Sequence, residues 1–207
     1  MTQDPPKDPP QLYLATPPLA EARDFLPALV DALSAGDVAS LLIRFAVDDT
    51  RKQEDIVRAL APAAQEKGVA VLVAGEPNVA LRAGADGAHI PGCGEELAEA
   101  VKKLSPKYIV GAGDLATRDD AMVAGELGSD YLLFADEDRE ALIERVAWCA
   151  ELFSTPVVAR AATLADVAPL AQAGADFVLL DDAVWADPRG PAAAVAEAFA
   201  GLKGVQA

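Results

Sequence analysis

Short apolar runs alternate along this chain with longer stretches whose apolar positions recur at helical spacing. Gln11 to Thr16 reads as a first strand, which Pro17-Pro18 ends before a helix expected over residues 19–34. A second strand is expected over 39–46, apolar except for Arg44, and Asp48-Asp49-Thr50 reads as the cap of a helix running to about residue 67. Further strands are expected over 69–73, 87–90, 107–111, 131–134, 156–159 and 177–180. Helices separate them: a short one from residue 77, one ending at 103, one over 117–127, one over 140–153 and a last one over 191–202. Thr117 and Asp120 have the spacing of a variant capping box.

Eight strand-helix alternations in this length predict a single (β/α)8 TIM barrel over residues 11–207, preceded by a flexible lead-in over 1–10. A Gly-x-Gly-x-x-Gly opening is absent after the first strand, which disfavours an open doubly wound sheet. One motif recurs three times: Gly84-Ala85-Asp86, Gly128-Ser129-Asp130 and Gly174-Ala175-Asp176, each after a helix end and before an apolar strand. The glycines lie 44 and 46 residues apart, the length of two strand-helix units. The glycine suits a left-handed turn that closes the helix. The aspartate is expected to hydrogen-bond local amides where the chain enters the strand.

Composition narrows the function classes. A net charge of −16 argues against nucleic acid, which needs clustered Lys and Arg, and against anionic membranes. Two cysteines, Cys93 and Cys149, cannot form a disulfide framework. The first ten residues are polar and proline-rich, unlike a signal peptide or a membrane span, so a cytoplasmic protein is expected.

Leu12-Tyr13-Leu14, Arg44, Gly84-Ala85-Asp86-Gly87-Ala88-His89-Ile90, Gly128-Ser129-Asp130-Tyr131 and Thr155-Pro156-Val157-Val158-Ala159, followed by Ala173-Gly174-Ala175-Asp176, resemble the thiamine-phosphate synthase and TenI-like barrel family from about residue 12 to 185. The resemblance implies a transferase that joins a pyrimidine diphosphate to a thiazole phosphate, releasing pyrophosphate with the help of Mg²⁺. Of the family's Gln-x-Arg-x-Lys after strand two, this chain keeps Arg44, flanked by Leu42 and Ala46. The family's Asn-Asp falls on Ala74-Gly75, its Gly-Gln-Glu-Asp on Pro91-Gly92-Cys93-Gly94, its Gly-Gly after strand seven on Ala161-Ala162, and its phosphate serine on Asp182. The histidine expected of a thiazole tautomerase falls in Asp114-Leu115-Ala116.

Candidate site residues follow from strand-end positions, because barrels keep their sites at the C-terminal ends of the strands. Arg44 suits an anionic ligand or an internal ion pair, and His89 suits a donor, an acid or base, or a structural hydrogen bond. Asp48, Asp49, Asp114, Asp136, Glu137, Asp138, Asp181 and Asp182 all follow predicted strands and suggest an acidic mouth for a cation or a metal, with Arg44 and Arg160 as counter-charges. Some of them read equally as helix caps. A pair such as Asp114 with Asp136 is the candidate Mg²⁺ site. Trp185 reads either as a cover for a ring-shaped ligand or as a packed aromatic, and Cys93 as an ordinary loop thiol. Two functions are carried forward: the transferase, and a repurposed barrel that binds a small ligand without catalysis. Assembly into a homo-oligomer stays open.

Overall fold

The structure is a computed structural model and describes residues 8–205. The lead-in expected over 1–10 therefore lies outside the described residues up to residue 7. In chain order the strands are β1 (Gln11–Ala15), β2 (Val38–Ile43), β3 (Ala70–Ala74), β4 (Gly87–Pro91), β5 (Ile109–Gly113), β6 (Tyr131–Phe134), β7 (Val157–Ala161) and β8 (Phe177–Leu180). The helices are α1 (Leu26–Leu33), α2 (Thr50–Gln65), α3 (Pro77–Ala83), α4 (Glu95–Leu104), α5 (Arg118–Glu126), α6 (Arg139–Leu152), α7 (Val167–Gln172), α8 (Asp182–Trp185) and α9 (Pro191–Val205). Each strand pairs in parallel with its sequence neighbours and β8 closes onto β1, so the eight strands form a complete barrel.

Parallel strands covered on both faces are apolar on both, and here the two faces feed separate clusters. Leu12, Leu14, Leu41, Ile43 and Val71 pack outward against the helices, while Tyr13, Ala15, Leu42, Leu72, Tyr131, Leu133, Val158 and Leu179 fill the barrel interior. The period-2 alternation of side chains decides which cluster each residue joins.

The recurring Gly-x-Asp motif welds strand pairs together at their N-terminal ends. Gly84, Gly128 and Gly174 have φ of 81°, 90° and 104°, the left-handed backbone that glycine takes at least cost. The aspartates, expected to bond local amides, reach across to the preceding strand. Asp86 Oδ2 accepts from Val71 N at 2.8 Å, Asp130 Oδ2 from Val110 N at 2.7 Å and Asp176 Oδ2 from Val157 N at 2.7 Å, and each aspartate N–H donates back to the carbonyl of that same valine. The carboxylate reaches a valine amide at the start of the preceding strand, which would otherwise lack this partner. These clamps join β3 to β4, β5 to β6 and β7 to β8.

One expected helix is shorter than its pattern. Residues 19–25 do not extend α1, because Leu19 N donates to Arg44 O and Ala46 N donates to Leu19 O, forming an isolated bridge between Leu19 and Phe45. That bridge pins the loop after Pro17-Pro18 over the end of β2. The expected caps are present: Asp49 accepts from Arg51 N and Lys52 N, and Thr117 and Asp120 form a reciprocal capping box.

Candidate active site at the C-terminal mouth

The C-terminal ends of the strands surround a cavity of about 430 Å³. Ala15, Leu42, Ala74, Leu133 and Leu179 give it apolar walls, and Arg44, His89, Asp114, Arg160 and Asp181 supply its ionisable groups. A larger, more open cleft of about 630 Å³ lies at the opposite end, beside Asp86 and Lys107. The mouth is the better candidate, since its polar groups converge from five strand ends.

Asp181 organises the charge. Only 3% exposed, it follows β8 on the inward register of Phe177 and Leu179, and Oδ2 accepts from Arg160 Nε at 3.0 Å and lies 2.9 Å from Arg160 Nη2 and 3.4 Å from Arg44 Nη1. Arg44 is itself held by the neighbouring strand end: its backbone N–H donates to Thr16 Oγ1 at 3.0 Å, and its Nε donates to Thr16 O. Thr16 is fully buried, so the guanidinium is anchored at its base and partly open at its tip. A buried carboxylate shared by two cations satisfies the pairing that burial demands.

His89 stands on β4 with Nδ1 2.8 Å from Tyr131 Oη, its ring stacked on Tyr131 with centroids 5.7 Å apart. Burial lowers its pKa to about 4, against the opposing pull of Asp114, so the imidazole is neutral at pH 7. Glycines on β5 make room for both rings. A Cβ on Gly111 would fall 1.9 Å from Tyr131 Cζ, and one on Gly113 would fall 2.3 Å from His89 Nε2. Asp114 follows directly with φ of 51°, a left-handed conformation that aspartate tolerates better than most side chains.

Of the residues singled out from sequence, Arg44, His89, Asp114, Arg160 and Asp181 come together at one cavity. Asp182 and Trp185 do not line it. Asp182 is exposed at the start of α8, on the opposite side of the strand-end alternation from Asp181. Trp185 is packed: Nε1 donates to Ala15 O at 2.6 Å and the ring lies edge-on to Phe25, centroids 4.7 Å apart. The acidic mouth expected from sequence is instead balanced, with Asp114 and Asp181 facing Arg44 and Arg160. Asp49 and Asp138 are spent on capping α2 and α6. Asp136 pairs with Arg145 at 3.0 Å and lines a neighbouring groove with Glu137. Cys93 sits beside Asp120, and burial followed by that carboxylate pushes its thiol pKa up, the reverse of what a reactive thiolate needs.

A resident Mg²⁺ requires several oxygen ligands arranged octahedrally. Here Asp181 already serves two arginines, Asp136 is engaged by Arg145 and the Asp138 amide, and among the described residues no three His, Cys, Asp or Glu side chains form a group able to hold a metal. The side chains present form no all-protein magnesium cage, and Asp114 is the cavity carboxylate without an ion pair among the described residues. Tyr13 and Tyr131 are neighbours of the candidate site not singled out from sequence, because tyrosines in apolar runs read as core. The available signal was their inward register on β1 and β6 beside a lone histidine.

The family profile described as "Thiamine monophosphate synthase" matches residues 12–184. The chain is 38% identical over 199 residues to the "Thiamine-phosphate synthase" of Rhodospirillum centenum, covering 90% of this chain and 95% of that protein. It is 35% identical over 199 residues to the protein of the same name from Hyphomonas neptunium, covering 89% and 90%. The solved "Thiamine phosphate pyrophosphorylase" of Pyrococcus furiosus superposes with a TM-score of 0.82 over 95% of this chain and 97% of that one, at 22% identity, a likeness of fold. With the profile spanning most of the chain and two relatives above 30% identity over nine-tenths of it, this chain belongs to the thiamine monophosphate synthase family.

Proposed function

We propose that the chain is a transferase of thiamine-phosphate synthesis, joining a pyrimidine diphosphate to a thiazole phosphate at the C-terminal mouth. The observation that carries this reading is the convergence of Arg44 and Arg160 on one cavity of about 430 Å³, a volume that suits a heterocyclic phosphate. In the reaction the pyrimidine methylene C–O bond breaks and pyrophosphate departs with the electron pair, while the thiazole nitrogen forms the new C–N bond. No proton needs to move in that exchange. The chemistry therefore asks the protein for charge and orientation. The two guanidiniums, held ready on Asp181, present donors to the departing phosphate oxygens. Asp114 supplies negative charge toward the thiazolium that forms, and the apolar walls exclude water from it. The relatives' names support the same chemistry. A cytoplasmic setting goes with it, as for a biosynthetic enzyme of this kind.

A second reading, a barrel that binds such ligands without joining them, is favoured by the side chains standing where the family keeps phosphate and metal groups. Ala74-Gly75 and Ala161-Ala162 offer no side-chain donors, Ala161-Ala162 lacks the glycines that allow close backbone approach, and Asp182 opens α8 at the corner where barrels commonly hold phosphate.

A single-turnover assay with both substrates, run with and without Mg²⁺ and beside thermal melts with each phosphate alone, separates the two. Appearance of thiamine phosphate establishes the transferase. Stabilisation by pyrophosphate or thiazole phosphate without product establishes the second reading; a ligand at a hundred times its Kd adds about 2.7 kcal/mol. Silence in both assays removes both.

A further inference from the structure

The barrel interior holds a chain of hydrogen bonds that the proposed transfer does not use. Tyr13 Oη lies 3.0 Å from Tyr131 Oη, which lies 2.8 Å from His89 Nδ1. Tyr13 is 1% exposed and Tyr131 6%, so both side chains are buried in the barrel interior. Among the described residues Tyr13 Oη has no second hydrogen-bond partner. Its proton must therefore point at Tyr131, whose own proton must point at His89 Nδ1. The reverse order would leave the Tyr13 O–H buried without an acceptor, at a cost on the order of 1–3 kcal/mol.

We propose that this one-way chain fixes His89 as its Nε2–H tautomer and makes it a neutral hydrogen-bond donor into the mouth, where it selects ligands that bring a heteroaromatic ring nitrogen to the apolar floor. Nδ1 is taken by Tyr131, so Nε2 is the ring nitrogen left to donate from a side chain that lines the cavity, and the missing Cβ of Gly113 gives that edge of the ring its room. The floor around it is Ala15, Leu42, Leu133 and Leu179, which suits a flat ring, whereas the ionic groups stand apart around Asp181. A bound ligand is thereby oriented, ring against His89 and phosphate toward Arg44 and Arg160. Both tyrosine hydroxyls have pKa values pushed upward by burial, so they stay protonated and keep the chain's direction at working pH. His89 and Tyr131 are positioning residues. The ligand part of the inference rests on reading the mouth as the binding site, and the tautomer part does not.

His89 is the only histidine in the chain, so ¹⁵N-histidine labelling gives one pair of ring resonances. In the ligand-free protein at pH 7 the expected spectrum has a protonated Nε2 and an unprotonated, hydrogen-bonded Nδ1. Tyr131→Phe is expected to mix the tautomers, while Tyr108→Phe, placed at the opposite end, leaves them alone. An Nδ1–H tautomer, a doubly protonated ring, or no response to Tyr131→Phe overturns the relay, and the wild-type spectrum decides this even where that variant folds poorly. Thiamine phosphate, which carries an aminopyrimidine ring, is expected to shift the Nε2–H resonance and to bind Tyr131→Phe about three- to tenfold more weakly, the worth of one hydrogen bond. The expected tautomer together with an unmoved Nε2 resonance on binding overturns the ring-selecting role while leaving the mouth as a site. Absence of any binding instead counts against the mouth reading itself.

Discussion

A carboxylate that is 3% exposed between two arginines is a stability element before it is a functional one. Removing an arginine leaves a buried carboxylate short of a partner, and removing Asp181 leaves two partly exposed guanidiniums facing each other. Arg160→Met is expected to cost about 1–3 kcal/mol, below the range for fully buried pairs because the Arg160 side chain is 47% exposed and water screens part of the loss. Asp181→Asn should cost a similar amount. The double variant should lose about 1–2 kcal/mol less than the sum of the two, since it removes both stranded charges, and urea unfolding of the four proteins measures this coupling. Simple additivity would mean that Arg44 alone neutralises Asp181. At this scale much of the site was legible in the sequence. Strand-end position placed Arg44, His89, Asp114, Arg160 and Asp181 at the mouth. Asp182 and Trp185 were drawn in by proximity, although period-2 alternation turns Asp182 away when Asp181 faces inward, and Trp185 lies a helical turn further on. The Tyr13–Tyr131–His89 contact joins residues 118 and 42 positions apart, and one-dimensional spacing carries no sign of it.

Among elements, the three aspartate clamps tie β3 to β4, β5 to β6 and β7 to β8. Each aspartate bonds both the N–H and, through its own amide, the carbonyl of one valine on the preceding strand. Asp130→Ala, and likewise Asp176→Ala, is expected to destabilise by about 1–3 kcal/mol by leaving a strand amide without its partner. Asp86→Ala should lie at the upper end, because Gln65 Nε2 also donates to Asp86 Oδ2 at 3.0 Å. Guanidinium melts of the three variants test the ordering. The motif itself was visible in sequence, but its bonding was not, since the partner amides lie 15, 20 and 19 residues upstream. Element order was also readable from apolar runs and caps. The start of α1 was not, because the bridge between Leu19 and Phe45 is a tertiary event that overrides the local helical pattern.

For the molecule as a whole, 33 acidic against 17 basic side chains place repulsion across the surface. Screening should relieve it. Raising NaCl from ~10 mM to ~0.5 M shortens the Debye length from about 30 Å to below 10 Å. The expected result is a gain of about 1 kcal/mol, or ~2–4 °C in Tm, in differential scanning calorimetry. A fall in Tm would show that the ion pairs of Arg58, Arg139, Arg145 and Arg189 outweigh the repulsion. The same large-scale view separates two ends of every strand. The clamps hold the barrel at the ends where β3, β5 and β7 begin, and the candidate cavity opens where the strands finish. Mutational drift can therefore proceed at one end with little penalty at the other. Substitutions at the mouth that spare the Asp181 ion pairs leave the clamps untouched, so the strand junctions at one end are separate from the side chains that would set ligand specificity at the other.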